Sequence, residues 1–280
     1  MTFKTLALAF FLAQASPTPT PIADTTEWRQ AREKELTAER GWLAVSGLPW
    51  LTEGDTTVGS DATNAIQLGD GPLFWGGVRR TGSRVELVAR HEPPRELTPK
   101  DPPFQIGRTW IQLIQRGDRI GLRLWDPRNA RKLAFHGLNW FKDQPQYKVR
   151  GQLVPNSVRT TVKIANVIGQ VNDMVSPGVV EFEILGRKLQ LTPVYETAEQ
   201  TELFYIFKDA TAGKTTYGAG RFVYSALPDA EGGVVLDFNR AYSPPCAFTD
   251  FATCPLPPAP NRLSVAIEAG ELDPHPGPGR

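Results

Sequence analysis

Residues 116–124 read RGDRIGLRL, and this stretch decides the fold class. Ile120, Leu122 and Leu124 alternate with Arg119, Gly121 and Arg123. Apolar residues at every second position put one face of an extended chain toward a core and the other toward water. Arg116-Gly117-Asp118 supplies turn chemistry just ahead of the run. Gly-Asp has an ordinary role in such a turn, so the adhesion-like tripeptide needs no functional explanation.

The same period recurs outward in both directions. Val85, Leu87 and Ala89 alternate with Arg84, Glu86 and Arg90 after Thr81-Gly82-Ser83. Val180, Phe182 and Ile184 alternate with Glu181 and Glu183 before a turn at Gly186-Arg187. Val234-Leu236-Phe238 and Leu263-Val265-Ile267 repeat the pattern near the end. Leu203 to Phe207 (LFYIF) is apolar at every position and predicts a central strand buried on both faces. Many short strands separated by turns predict an all-β, antiparallel sandwich or barrel-like domain. One segment breaks the rule. Trp28 to Arg40 (WRQAREKELTAER) is rich in helix formers, follows a capping box at Asp24-Thr25-Thr26-Glu27, and ends near Gly41. It predicts one N-terminal surface helix, with Trp28, Ala31 and Glu35 or Leu36 as its narrow inner stripe.

Composition bounds the function. The 280 residues carry 31 Lys+Arg against 30 Asp+Glu, a balance that argues against a nucleic-acid partner. Three His and two Cys leave little material for a metal cluster, and no metal or cofactor is expected. Residues 1–15 combine Lys4, the apolar run Leu6 to Leu12 and the small-x-small site Ala13-Gln14-Ala15. They predict a signal peptide, hence an exported, periplasmic or extracellular protein. A Pro/Thr linker at 16–23, a single β-rich domain at 24–272 and a disordered tail at 273–280 complete the expected organisation. No later segment is long and apolar enough to cross a membrane, so no integral membrane segment is expected in the mature chain.

The final third carries the unusual residues. Thr215 to Phe222 reads TTYGAGRF, Leu236 to Tyr242 reads LDFNRAY, and PPCAFT, CPLPP, NRL and EAGE follow between Pro244 and Glu271. With GWLAVSGLPWL at 41–51, GSD at 59–61 and FHGLNWF at 135–141, this combination resembles the domain of unknown function 1684 family of bacterial proteins. The resemblance implies a shared fold and no reaction. Ser243 departs from it, standing before the proline pair where the family is associated with Asn.

Candidate residues follow from the strand pattern. If the segments ending at Phe238 and at Ile267 pair, then Asp237, Asn239, Arg262 and Glu268 share a polar face, with Arg221 close by. Such a set suits a polar ligand. The leading expectation is therefore a non-catalytic binder of a small molecule or an envelope component. One alternative is a hydrolase using Asp237 and Glu268 as general acid and base; another is a structural or interaction module. In an oxidising compartment, Cys246 and Cys254 are expected to form a disulfide, worth about 2.5 kcal/mol for so short a loop. Buried free thiols, or a nucleophilic Cys246 served by His136, are the other readings. All seven tryptophans lie in the first half, as core filling or as a platform for sugars and other flat ligands.

Overall fold

The computed structural model describes residues 25–275. The expected signal peptide and the linker lie outside these residues, as does Asp24 of the capping box. The protein is all-β, built of antiparallel sheets, and among the described residues one substantial helix precedes the strands.

That helix, α1, spans Thr25–Thr37, with Glu27 in its first turn and Lys34 in its last, each placed to favour the helix dipole. Its inner stripe differs from the expected one. Arg32 and Leu36, four residues apart, are buried, while Ala31 and Glu35 are exposed. Gly41 does not end the helix by direct capping. It turns the chain so tightly that a Cβ would sit 2.4 Å from the carbonyl oxygens of Glu35 and Leu36. A single 3-10 turn, Trp42–Ala44, follows.

The first β region contains β1 (Val45–Gly47), β2 (Gly54–Gly59), β3 (Ile66–Gln67), β4 (Gly76–Thr81), β5 (Arg84–Ala89), β6 (Arg95–Leu97), β7 (Phe104–Ile106), β8 (Thr109–Arg116) and β9 (Arg119–Trp125). They form two sheets of order β1-β9-β8-β7 and β3-β2-β4-β5-β6. Every pairing is antiparallel except the short β2–β3 contact. The alternating residues Val85, Leu87, Ile120, Leu122 and Leu124 meet in one core with Val58, Val78, Ile111 and Leu113.

A short helix, α2 (Ala130–Leu133), leads to the second region. There β10 (Lys148–Ala165) and β11 (Val171–Ile184) form a long hairpin, flanked by β12 (Arg187–Leu191) and later by β15 (Gly233–Asp237), in the order β12-β11-β10-β15. The turn between β11 and β12 is Leu185-Gly186, both at positive φ, one residue earlier than expected. The pair β13 (Glu202–Phe207) and β14 (Arg221–Ala226) covers this sheet. Leu203, Tyr205 and Phe207 enter the main core, whereas Phe204 and Ile206 enter a second cluster with Phe222 and Cys254. That division explains why every residue of LFYIF is apolar. The strand is not central in a wide sheet. On its far side it meets a bridge, with Val194 and Phe204 exchanging N–H···O bonds at 2.9 Å, and the side chain of Asn261, whose Nδ2 donates to Ile206 O at 2.9 Å.

One expectation about the end of the chain is corrected. Leu263 to Ile267 is not a strand, and β15 pairs with β10, Asp237 opposite Lys148. Prolines 255, 257, 258 and 260 remove the donors a ladder would need just before this segment. Its backbone bonds to the loop after β13 instead: Leu263 N–H to Lys208 O at 2.7 Å, and Ala210 N–H to Val265 O at 2.9 Å. Leu263 and Ile267 still reach the core, so the alternation reported burial correctly without a strand. Asp273, in the expected tail, donates its N–H to Thr215 O at 3.0 Å; residues 276–280 lie outside the described range. Among the described residues, no helix is long and apolar enough to cross a membrane.

Candidate functional site

The five expected ligand residues do not share one hollow. Arg221 opens β14 with its side chain buried. Its guanidinium donates to the carbonyls of Ala269 and, at 2.9 Å, Ile267, and meets the Asp209 carboxylate at 3.3 Å. Asp209 is itself held by the Ile267 N–H at 2.7 Å and the Thr211 hydroxyl at 2.9 Å. Burial pulls the Arg221 pKa down, and the Asp209 charge opposes that pull. This pair fastens the chain at 267–269 from behind.

Asp237 caps the 3-10 turn Phe238–Arg240, accepting the Asn239 N–H at 3.1 Å and its Nδ2 at 3.0 Å. Asn239 clamps the backbone of Gln144, accepting its N–H and donating to its carbonyl, both at 3.1 Å. Arg262 and Glu268 are exposed. Among the described residues, no hydrogen bond or ion pair joins either of them to Arg221, Asp237 or Asn239. The cause is the missing strand: without pairing to β15, the final segment presents these side chains elsewhere.

A buried polar group invisible to periodicity lies close by. Glu271 is fully buried with its carboxylate 3.6 Å from Arg32 Nε, and Arg32 Nη2 donates to the Ser243 carbonyl at 2.9 Å. Burial pushes the Glu271 carboxyl up to about 7, against the pull of Arg32 and Ser243. The Arg32 guanidinium also lies 4.5 Å from the Tyr242 ring centre. Arg32 thereby plugs α1 into the second region.

The expected disulfide is not formed. Cys246 and Cys254 are free thiols, and the Cys246 N–H donates to Cys254 Sγ at 3.1 Å. His136 lines a different cleft, with Phe135, Phe248 and His275, and no contact links it to Cys246 among the described residues. The Tyr217 hydroxyl donates to the Cys246 carbonyl at 3.0 Å.

A hollow lined by two tryptophans lies beside the first region. A cleft of about 570 Å³ opens between the C-terminal end of α1, the Trp42 turn and the outer face of β8 and β9. Trp42, Trp125 and Gln112 line it, with Glu35, Glu39 and Arg40 at its rim. Trp110 stands opposite Trp125 across the β8–β9 pair, and Gln112 opposite Arg123. Arg40 lies 5.2 Å from the Trp110 ring, and Arg123 lies 4.8 Å from Trp42 and 5.8 Å from Trp125. Burial lowers the Arg123 pKa to about 10, Arg116 adding to the drop and Cys254 opposing it. Among the described residues, the buried Nε1 of Trp110 and Nε of Arg123 have no hydrogen-bond partner. The hollow thus joins flat apolar rings to an amide, two carboxylates and a guanidinium.

Half of this site was readable in advance. Counting outward from the turn at Gly117-Asp118 places Trp110 opposite Trp125 and Gln112 opposite Arg123. The approach of Trp42 and α1 has no such local signal.

Comparison with known proteins places the chain. No curated protein matches it. An uncharacterised protein of Haloarcula marismortui, solved in solution by NMR, is similar at 30% identity over 49% of this chain and 77% of its own, with a TM-score of 0.42. The model of a family described as proteins of unknown function, DUF1684, matches residues 133–272, half of the chain and nearly the whole second β region. The segments 41–51 and 59–61 fall outside that match, whereas FHGLNWF, the GAG turn and the Pro/Cys segment fall inside it. On that match, the chain belongs to the DUF1684 family.

Proposed function

We propose that this protein is an exported, non-catalytic binder whose ligand sits in the tryptophan cleft, and that the ligand is a carbohydrate or an envelope component of carbohydrate character. One observation carries the reading: Trp42 and Trp125 line a cleft of about 570 Å³ together with Gln112, Glu35, Glu39 and Arg40. A pyranose offers a flat C–H face that stacks on indole and a rim of hydroxyls that needs both donors and acceptors. The cleft supplies indole carbon at Trp42, beside which Arg123 also lies, and donors and acceptors at Gln112, Glu35, Glu39 and Arg40. Export rests on residues 1–15 and is tested by fractionating cells that express the full chain.

The hydrolase reading has less support, because no contact brings Asp237 and Glu268 together. Binding is tested by tryptophan fluorescence during titration with soluble glycan fragments of a bacterial envelope. A saturable change is expected, and Gln112→Ala should weaken it about tenfold, near 1.4 kcal/mol. Glu39→Ala, at the exposed rim, should weaken it less. A flat response to every fragment, or equal affinity in both variants, removes the cleft as the site.

A further inference from the structure

The Pro-rich segment 243–260 holds two thiols in unlike surroundings. Cys246 is half-buried, whereas Cys254 is buried in the cluster with Ile164, Phe204 and Phe222. Backbone bonds fix both ends. Ala247 N–H donates to Pro244 O at 2.9 Å on the Cys246 side. Val167 N–H donates to Cys254 O at 3.1 Å on the other. The sulfur of Cys254 is kept against the backbone of Cys246 by the 3.1 Å N–H···S contact.

We infer that Cys246 and Cys254 form a reversible dithiol–disulfide couple that exchanges with small-molecule disulfides, Cys246 attacking and Cys254 resolving. Accessibility sets the order, since Cys246 is the more exposed residue of the two and Cys254 is buried. The Cys254 thiol beside it lowers the Cys246 pKa, an effect in the same direction. In the first step the Cys246 thiolate attacks one sulfur of the disulfide, expels the other half as a thiolate, and leaves a mixed disulfide. In the second step Cys254 gives up its proton and its sulfur attacks Cys246 Sγ, expelling the remaining half as a thiol. The pair is oxidised by two electrons, and the external disulfide is reduced to two thiols.

The couple does not rest on the proposed ligand reading and is tested without any ligand. The full chain is treated with glutathione disulfide and followed by mass spectrometry, with circular dichroism checking that each variant is folded. Wild type should lose two hydrogens without a lasting adduct and regain them in reduced glutathione. Cys254→Ser should trap one glutathione on Cys246, and Cys246→Ser should react at least tenfold more slowly. If a variant fails to fold, iodoacetamide labelling of the reduced wild type reads the same order, with Cys246 modified first. A pair that stays reduced in excess disulfide, a bond that reduced glutathione cannot reopen, or labelling of Cys254 first would each overturn the assignment.

Discussion

Arg221 carries its charge to a place where its side chain is only 1% exposed, and its partner Asp209 is as deeply set. Such a pair contributes little net stability when intact, yet losing one member strands the other without compensation. Asp209→Ala should therefore lower the unfolding free energy by about 3–5 kcal/mol, read as a shift of the urea midpoint. An unchanged midpoint would mean that the Arg221 guanidinium is satisfied by the carbonyls of 267 and 269 alone. Glu271 makes a prediction about pH. Its proton is held more tightly in the folded chain, because burial raises its pKa from 4.5 to about 7. The stability this supplies is complete below about pH 4.5 and fades as pH rises through about 7, a change of about 3 kcal/mol. Arg32 and Ser243 oppose that rise in pKa, and the charge of Arg221 also lies within reach of the carboxyl. Melting temperatures at pH 5 and pH 8 should differ in wild type, and Glu271→Gln should narrow the difference. If the variant and wild type show the same pH profile, the carboxyl does not titrate there.

At the scale of elements, the alternating runs at 84–89, 119–125 and 180–184 announced strands because each buries one face, and burial is what a period of two reports. The same signal misled at Leu263 to Ile267, where alternating burial is met by an irregular chain tied to the loop after β13. Periodicity reports which side chains go inward, not which backbone receives the hydrogen bonds. The expected ligand residues are not brought onto one face for that reason, since this needed a strand pairing that the final segment does not make. The helix was legible in its place, though it ends at Thr37 rather than Arg40, but not in its facing: Arg32 is inward, where Glu271, far along the chain, receives it. Gly270 tests how tightly this last segment is laid down. It has φ of +83°, and a Cβ there would lie 2.3 Å from the Ala241 carbonyl oxygen. Gly270→Ala should cost more than about 1 kcal/mol, measurable by thermal unfolding. A neutral result would show that the segment moves freely over the turn at 238–241.

The described residues form two principal apolar cores, one within the first β region and one within the second. Smaller clusters join them, and the Pro-rich segment is central to that joining. Phe248 packs with Leu36 and Leu43, and Phe251 packs with Trp42, Trp110 and Trp125. The loop between the two thiols thus touches the helix and the rear of the tryptophan cleft. The bond from Arg32 to the Ser243 carbonyl spans 211 residues of sequence. During synthesis the opening helix therefore leaves the ribosome long before its berth exists. Until the segment from Ser243 to Glu271 has emerged, Arg32 lacks both of these partners, and the helix waits on residues made long after it.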